Sequence, residues 1–329
     1  MPIETDFTFG HQIAQTAARA AAPADLLGLL RGLVGTDPPP PKNPHRKWTG
    51  KGFNMIWRPN HGGQSGPEDF FLELNFTDET LEFTDITSPG PTGIANRGFL
   101  QNDIPLGGVA YMQTIKDSFD GSGQHFEPGV WANVPATTNP NEQATIVRMG
   151  SIPHGTTINL QGRAFSAPEP LILEASVKPF PIGQPNNPID FPAQNLSRPS
   201  QSRTPPNQVV ALTQPHLNNP NLFLSEAIAH QTILETTVLT VTSDTSVPGS
   251  IPDAGGGTAN IAFLTGVGVP PTGGPNALAA FAEATFWIER VRGEGGYPDF
   301  NQLQYTQRVL LNFNKLSWPH ITVATLKEG

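Results

Sequence analysis

The sequence contains no cysteine and few charged residues. Among its 329 residues, Asp, Glu, Lys and Arg together make up 14%. The absence of Cys excludes disulfides, thiolate nucleophiles and cysteine-ligated metals. The charged fraction is well below the roughly 25% usual for globular domains, which argues against a bundle of amphipathic helices with charged outer faces.

Two kinds of partner are also excluded by what the sequence lacks. Its formal net charge is −9, and its 19 Lys and Arg residues are scattered, so we expect no nucleic-acid partner. No apolar run reaches the roughly 18 residues needed to cross a bilayer. The amino terminus, MPIETDFTFG, lacks the basic and apolar regions of a signal peptide. We therefore expect a cytoplasmic protein with no membrane partner.

Glycine and proline, in contrast, are abundant. The chain has 33 Gly and 35 Pro, which interrupt helices and mark turns. Between them lie short runs of alternating apolar and polar residues, a pattern typical of β-barrels and sandwiches. The predicted strands are 50–58, 70–76, 79–86, 93–100, 107–115, 125–133, 143–149, 156–165, 227–242, 258–265, 281–291, 302–314 and 318–326.

Four segments follow from this pattern. Residues 1–47 are predicted to form a helical segment and a Pro-rich connector, with Asp25 capping the helix LLGLLRGLV. Residues 48–165 and 226–329 are predicted to form two parts of one barrel. Between them, residues 166–225 are rich in Pro and Asn and have little periodicity. We expect this arm to pack over the barrel or to reach a second copy and form a homodimer.

Histidine is the most informative residue type, because the usual catalytic motifs are missing. The sequence has no P-loop, no G-x-S-x-G and no H-E-x-x-H. His320 opens the last predicted strand and shares one face with Thr322, Ala324 and Leu326. A neutral imidazole on the inner wall of an apolar cavity is a candidate axial ligand for haem iron. The alternative is a hydrogen-bonded core histidine.

His125 and Glu127 form a second candidate pair. They lie two residues apart in GQHFEPGVW and share a strand face. On a cavity wall, His125 would donate a hydrogen bond or move a proton. The alternative is a strand-end His paired with Glu127 at the surface. The spacing also allows a zinc site with a third ligand, although this spacing is common.

Four short motifs occur in an order that matches one known family. The motifs are WTGKG at 48–52, HFEPG at 125–129 followed by Pro135, PHG at 153–155 followed by Gly162, and HITVATL at 320–326. In this order they resemble the nitrobindins, a family of small haem-binding β-barrels of the calycin type. The family pattern has an Arg where this sequence has Ala132.

The resemblance implies a mainly β fold: an antiparallel calycin-like barrel with an N-terminal helical segment and a long Pro-rich arm. It implies that His320 is the proximal ligand of ferric haem b, and that His125 is a catalytic group near the distal face. Met112 and Met149 are then candidates for the apolar wall of the haem pocket. The implied activity is peroxidase-like or isomerase-like, on a small ligand such as peroxide, nitric oxide or peroxynitrite.

Two other functions remain open at this point. A barrel of this size can carry a hydrophobic small molecule with no metal. It can also form the cavity of a cofactor-free isomerase or cyclase, with Glu127 or Glu283 as the acid–base group. A Soret absorption band in the purified protein would distinguish haem from these alternatives.

Overall fold

The structure is a computed structural model, which describes residues 25–35, 45–63, 65–87, 93–244, 256–266 and 276–329. Residues 1–24 of the predicted helical segment and most of the Pro-rich connector lie outside the described residues. The strands are β1 (His45–Pro59), β2 (Phe70–Asp85), β3 (Ile94–Asn96), β4 (Ile104–Asp117), β5 (Gly123–Val134), β6 (Thr137–Thr138), β7 (Asn141–Glu142), β8 (Thr145–Ile152), β9 (Thr156–Ala167), β10 (Phe180–Pro181), β11 (Ile233–Thr242), β12 (Gly257–Asn260), β13 (Leu278–Val291), β14 (Phe300–Phe313) and β15 (Leu316–Glu328).

Ten of these strands form a closed antiparallel barrel, which confirms the predicted mainly β fold. Their order is β1, β2, β4, β5, β8, β9, β11, β13, β14 and β15. The barrel closes because β1 also pairs with β15, with Ile56 opposite His320. Strand alternation then sends every second side chain into the barrel interior. The short strands β3, β10 and β12 pair with β4, β15 and β9 respectively, outside this ring.

Several predicted strands differ from those observed. The segments 70–76 and 79–86 form the single strand β2, because polar Thr77 and Glu79 face the interior and break the expected apolar alternation. The predicted strand 93–100 is reduced to β3. The apolar run at 258–265 divides into β12 and the short helix Ala262–Thr265. Short apolar runs do not distinguish a strand from a helical turn.

A short helix closes one end of the barrel. Helix α1 (Leu26–Arg31) begins at Asp25, whose side chain accepts a hydrogen bond from the Gly28 amide at 2.7 Å. Leu30 and Leu33 are fully buried in the inner core. The Trp48 indole donates to the Leu33 carbonyl at 2.9 Å. The predicted cap at Asp25 is confirmed, and the helix covers the inner core at this end of the barrel.

The arm packs along the outer face of β1, β2 and β15. It contains the helices α2 (Gln214–Asn218) and α3 (Leu222–Ile228), while α4 (Ala262–Thr265) follows β12. Its buried apolar side chains form a second core with the outward-facing residues of the barrel. This core includes Ala175, Val177, Ala193, Leu217 and Leu224 of the arm and Met55, Trp57, Leu72, Trp318 and Ile321 of the barrel.

Polar contacts fix the arm in the same place. The Leu72 amide donates to the Ser202 carbonyl at 2.9 Å, and the Thr204 amide donates back to Leu72 at 3.0 Å. The Trp57 indole donates to the Val177 carbonyl at 3.3 Å. The arm therefore packs over its own barrel, as the first of the two alternatives predicted, and its expected role in a homodimer stays a prediction.

The helices of the described ranges are all short. The longest, α3, has seven residues, and none of them could cross a bilayer.

Candidate functional site

A cavity of about 250 Å³ lies inside the barrel, at the end opposite to α1. Its apolar wall is formed by Ile56, Ile115, Ile152, Leu264, Val309 and Leu311. Its polar groups come from Asn54, Gln113, His125, His154, Gln307 and His320. Of the apolar residues, Leu264 comes from the helix α4 and the others from barrel strands. The cavity thus combines an apolar surface with several hydrogen-bonding groups that converge from different strands.

Both histidines singled out from the sequence line this cavity. His320 lies near the start of β15 and His125 near the start of β5. Because β5 is four strands from β15 around the ring, the two rings lie on different walls. His125 Nε2 contacts Glu127 Oε2 at 3.1 Å. The pair is therefore inside the barrel rather than at the surface.

A third histidine completes the group. The ring of His154, in the turn after β8, stacks on the ring of His125 with 5.8 Å between centroids. His154 Nε2 also lies 3.2 Å from the Gln124 carbonyl oxygen. The sequence places His154 only in the motif PHG and predicts no site role for it. Its place in the cavity depends on how β8 and β9 tilt in the closed barrel, which local patterning does not give.

The cavity keeps His320 and His154 uncharged at neutral pH. Burial, together with nearby His125 and His154, lowers the pKa of His320 to about 3. Burial and His125 also lower the pKa of His154. A neutral imidazole has one nitrogen free to accept a hydrogen bond or to bind a metal.

Below the histidines, a buried ion pair fills the centre of the barrel. Arg148 donates from Nη2 to Glu127 Oε1 at 2.8 Å and from Nη1 to Gln307 Oε1 at 2.6 Å. Tyr111 donates to Glu127 and accepts from Arg148 Nε at 3.1 Å. Burial opposes ionisation of Glu127, but the charge of Arg148 and the hydrogen bonds from His125 and Tyr111 prevail and lower its pKa to about 2.

A second polar group lies beside the first. Gln113 Nε2 donates to the Tyr305 hydroxyl at 2.7 Å, and Tyr305 in turn donates to Glu79. Thr77 donates to Glu79 Oε1 at 2.7 Å. Burial raises the pKa of Glu79 to about 7, despite these hydrogen bonds to the carboxylate. Gln113 and Tyr305 line the cavity, so they connect it to a carboxyl that titrates near neutral pH.

Two glycines make room for these networks. A Cβ on Gly52 would meet the Glu79 carboxylate, with the Val323 carbonyl at 2.5 Å. A Cβ on Gly150 would meet Glu127, with the Tyr111 hydroxyl at 2.6 Å. Gly52 is the last residue of the motif WTGKG. This position of the motif therefore leaves the space that the buried Glu79 carboxylate occupies.

Met112 and Met149 do not line the cavity, which corrects the expectation that they form its wall. Both point outward from β4 and β8, and their side chains are 36% and 39% exposed. The reason is strand alternation: Gln113 and Arg148, the neighbours of the two methionines, face inward.

Of the two acid–base candidates of the cofactor-free alternative, the structure corrects Glu283. Glu283 faces outward from β13, where it forms an ion pair with Arg308. Glu127 faces inward, but Arg148 holds it ionised. Sequence reasoning missed Arg148, Glu79 and Tyr305. For Arg148 a signal was present, because it shares a strand face with Ile146 and Gly150 in QATIVRMG.

The side chains of this cavity include a suitable axial ligand for haem iron, but the cavity volume is small for a haem. His320 is an accessible neutral imidazole, which fits an axial ligand of haem iron. The volume of about 250 Å³ lies below the roughly 300–1,000 Å³ of sites that enclose drug-sized ligands, and a porphyrin is no smaller than these. A whole haem therefore exceeds the volume of this cavity. Within the described ranges, no three His, Asp or Glu side chains lie close enough together to hold a metal ion, so the zinc alternative gains no third ligand.

Comparisons with known proteins add little. No protein-family model matches the sequence, and no curated protein matches it. A structural match is the crystal structure of Rv2717c from M. tuberculosis, at 10% sequence identity and a TM-score of 0.38, covering 94% of this chain and 99% of that chain. Neither family nor function follows from a similarity this low. The chain is a ten-stranded antiparallel barrel with an internal cavity, and its resemblance to the nitrobindins stays a prediction.

Proposed function

We propose that this barrel binds a compact, uncharged small molecule in its cavity. The observation that carries the proposal is the lining: an apolar wall with hydrogen-bonding side chains that converge from β1, β4, β5, β14 and β15. Concave sites of this composition are the usual binding sites for small molecules.

The charges around the cavity favour a neutral ligand. Arg148 forms an ion pair with Glu127. Arg58 forms an ion pair with Glu73, and both of these residues line the cavity. His320 is uncharged at neutral pH because of its lowered pKa. An anionic ligand would therefore compete with an existing partner for each of these two arginines, and it would lose its hydration in an apolar space.

Filling the cavity tests this proposal. Purified full-length protein would be screened by saturation-transfer NMR and native mass spectrometry against uncharged cyclic compounds. Ala279 lines the cavity and is 2% exposed, so we expect Ala279→Phe to weaken binding at least tenfold. The matched control is Ala259→Phe, because Ala259 is exposed on β12. Equal affinity in both variants would place the ligand outside the cavity.

A second candidate function is haem binding, which His320 favours. Its neutral ring lies on the inner wall and is within reach of the cavity. Because the enclosed volume is small, a haem held by His320 would have to extend out through the mouth. The expected activity on peroxide, nitric oxide or peroxynitrite depends on this iron.

Absorption spectroscopy decides between the two candidates. Haemin titrated into the purified protein is expected to give a Soret band that His320→Ala abolishes. His45→Ala serves as the control, since His45 is exposed and outside the cavity lining. No band with the unmodified protein, or a band unchanged in His320→Ala, would contradict ligation by His320.

A further inference from the structure

Two amide oxygens at the inner end of the cavity have no hydrogen-bond partner. These are Asn54 Oδ1 and Gln113 Oε1, unpartnered among the residues that the structure describes. Each side chain is only 2% exposed, and both line the cavity. Buried acceptors are nearly always hydrogen-bonded in folded proteins, because an unpaired one loses its hydration without compensation. These two oxygens therefore indicate a group that donates to them.

The orientation of Gln113 follows from its neighbours. Tyr305 donates its single hydroxyl proton to Glu79, so its oxygen accepts from Gln113 Nε2 at 2.7 Å. Turning the amide would place two oxygens against each other. While Glu79 is ionised, the amide nitrogen of Gln113 therefore faces Tyr305, and its oxygen stays unpartnered among the described residues.

Asn54 belongs to a row of polar residues at a similar depth. On β1 it lies opposite Thr322 of β15, which lies opposite Gln307 of β14. The side-chain oxygen of Gln307 already accepts from Arg148 Nη1 at 2.6 Å. The acceptor of Gln307 is therefore filled, whereas those of Asn54 and Gln113 are open to a donor.

From these two open acceptors we propose that the ligand is an uncharged molecule with a hydrogen-bond donor, a hydroxyl or a primary amide, bound to Asn54 Oδ1 and Gln113 Oε1. Its apolar part, a ring or a short branched chain, would contact Ile115, Ile152 and Val309. The inference rests on the proposed function, because it assigns the ligand class of the same cavity.

Three compounds of matched size test the assignment: benzyl alcohol, ethylbenzene and benzylamine. They end in a neutral donor, a methyl group and a charged ammonium. Dissociation constants would be measured by NMR titration at pH 8 for the full-length protein, Asn54→Leu and Gln113→Met. Thr114→Val is the control, because Thr114 adjoins Gln113 on the partly exposed outer face. Circular dichroism checks that each variant is folded, and Asn54→Leu decides if Gln113→Met does not fold.

The informative quantity is the dissociation constant of ethylbenzene divided by that of benzyl alcohol. One net hydrogen bond is expected to make this ratio about fivefold larger in the unmodified protein and in Thr114→Val than in Asn54→Leu. The same ratio in all proteins would overturn the donor assignment while leaving cavity binding intact, provided that Ala279→Phe weakens both compounds. Tighter binding of benzylamine than of benzyl alcohol would overturn the uncharged class. Binding of neither benzyl alcohol nor ethylbenzene would refute this inference, whereas the proposed function fails only if the whole panel of uncharged compounds does not bind.

Discussion

Arg148 and Glu127 form an ion pair at the centre of the barrel, with Nη2 and Oε1 2.8 Å apart. Both side chains are fully buried. The guanidinium also lies over the rings of Tyr111 and Phe286, at 5.2 and 5.3 Å from their centroids. Removing two charges from water is costly, and the cost is offset only while each partner keeps the other and its hydrogen bonds. The pair therefore acts as a unit.

The first prediction concerns this unit. Arg148→Met leaves Glu127 without its counter-charge, and we expect the free energy of unfolding to fall by about 3–5 kcal/mol. Adding Glu127→Gln removes the unpaired charge, so the double variant should recover part of the loss. Urea unfolding at pH 7, followed by tryptophan fluorescence, measures both effects. A double variant that is less stable than Arg148→Met alone would contradict the explanation.

The ion pair also shows what the sequence could reveal. Strand alternation put His125 on one face with Glu127 and His320 on one face with Thr322, and the structure brings both histidines to one cavity. The same alternation, applied to QATIVRMG, places Arg148 inside with Ile146 and Gly150. An isolated Arg in an apolar strand has no visible partner, however, because Glu127 lies 21 residues away. Only the pairing of β5 with β8 brings the two together.

The parts that could not be predicted depend on long-range contacts. The contact between Glu79 and Tyr305 spans 226 residues and exists because the barrel closes. The sequence predicts two strands in place of β2, since the inward carboxylate of Glu79 breaks the apolar alternation. The arm was recognised from its composition, whereas its position on β1, β2 and β15 depends on outward apolar residues such as Met55 and Ile321. In the sequence, these residues fit the apolar face of an ordinary alternating strand, and nothing indicates that the arm covers them.

The second prediction tests the closure of the barrel by α1. Leu30 is fully buried against the inner core, so Leu30→Ala should lower the free energy of unfolding by about 2–5 kcal/mol. Leu26→Ala, on the same helix but only partly buried, should cost clearly less. Equal losses in urea unfolding would mean that α1 does not pack against the inner core as described.

The third prediction concerns the space around Glu79. A Cβ at Gly52 would meet the Glu79 carboxylate and the Val323 carbonyl, the latter at 2.5 Å. Because backbone atoms cannot move aside easily, Gly52→Ala should destabilise the protein by about 1–3 kcal/mol. Gly123→Ala is the control, as a Cβ there meets nothing within 4 Å. Thermal unfolding of both variants measures this effect. Equal melting temperatures for Gly52→Ala and Gly123→Ala would show that position 52 has room for a side chain.

The fourth prediction concerns the pH dependence of stability. Burial raises the pKa of Glu79 from 4.5 to about 7, so the folded state binds this proton more tightly than the unfolded state. The stability associated with Glu79 is therefore complete below about pH 4.5 and declines as the pH rises to 7. Burial raises the pKa of Glu289 to about 7 as well, with the same sign.

Replacing Glu79 isolates its share of this pH dependence. Glu79→Gln cannot ionise, so its stability relative to the unmodified protein should increase between pH 4.5 and 7, by at most about 3 kcal/mol, and then level off. The lowered pKa of His320 acts in the opposite direction in acid, but it is common to both proteins and cancels in the difference. Glu82→Gln, on the outer face of the same strand, controls for the loss of a carboxylate. A constant difference between Glu79→Gln and the unmodified protein in urea titrations from pH 4 to pH 8 would show that Glu79 ionises normally. In that case the chain from Gln113 through Tyr305 would not connect the cavity to a group that titrates near neutral pH.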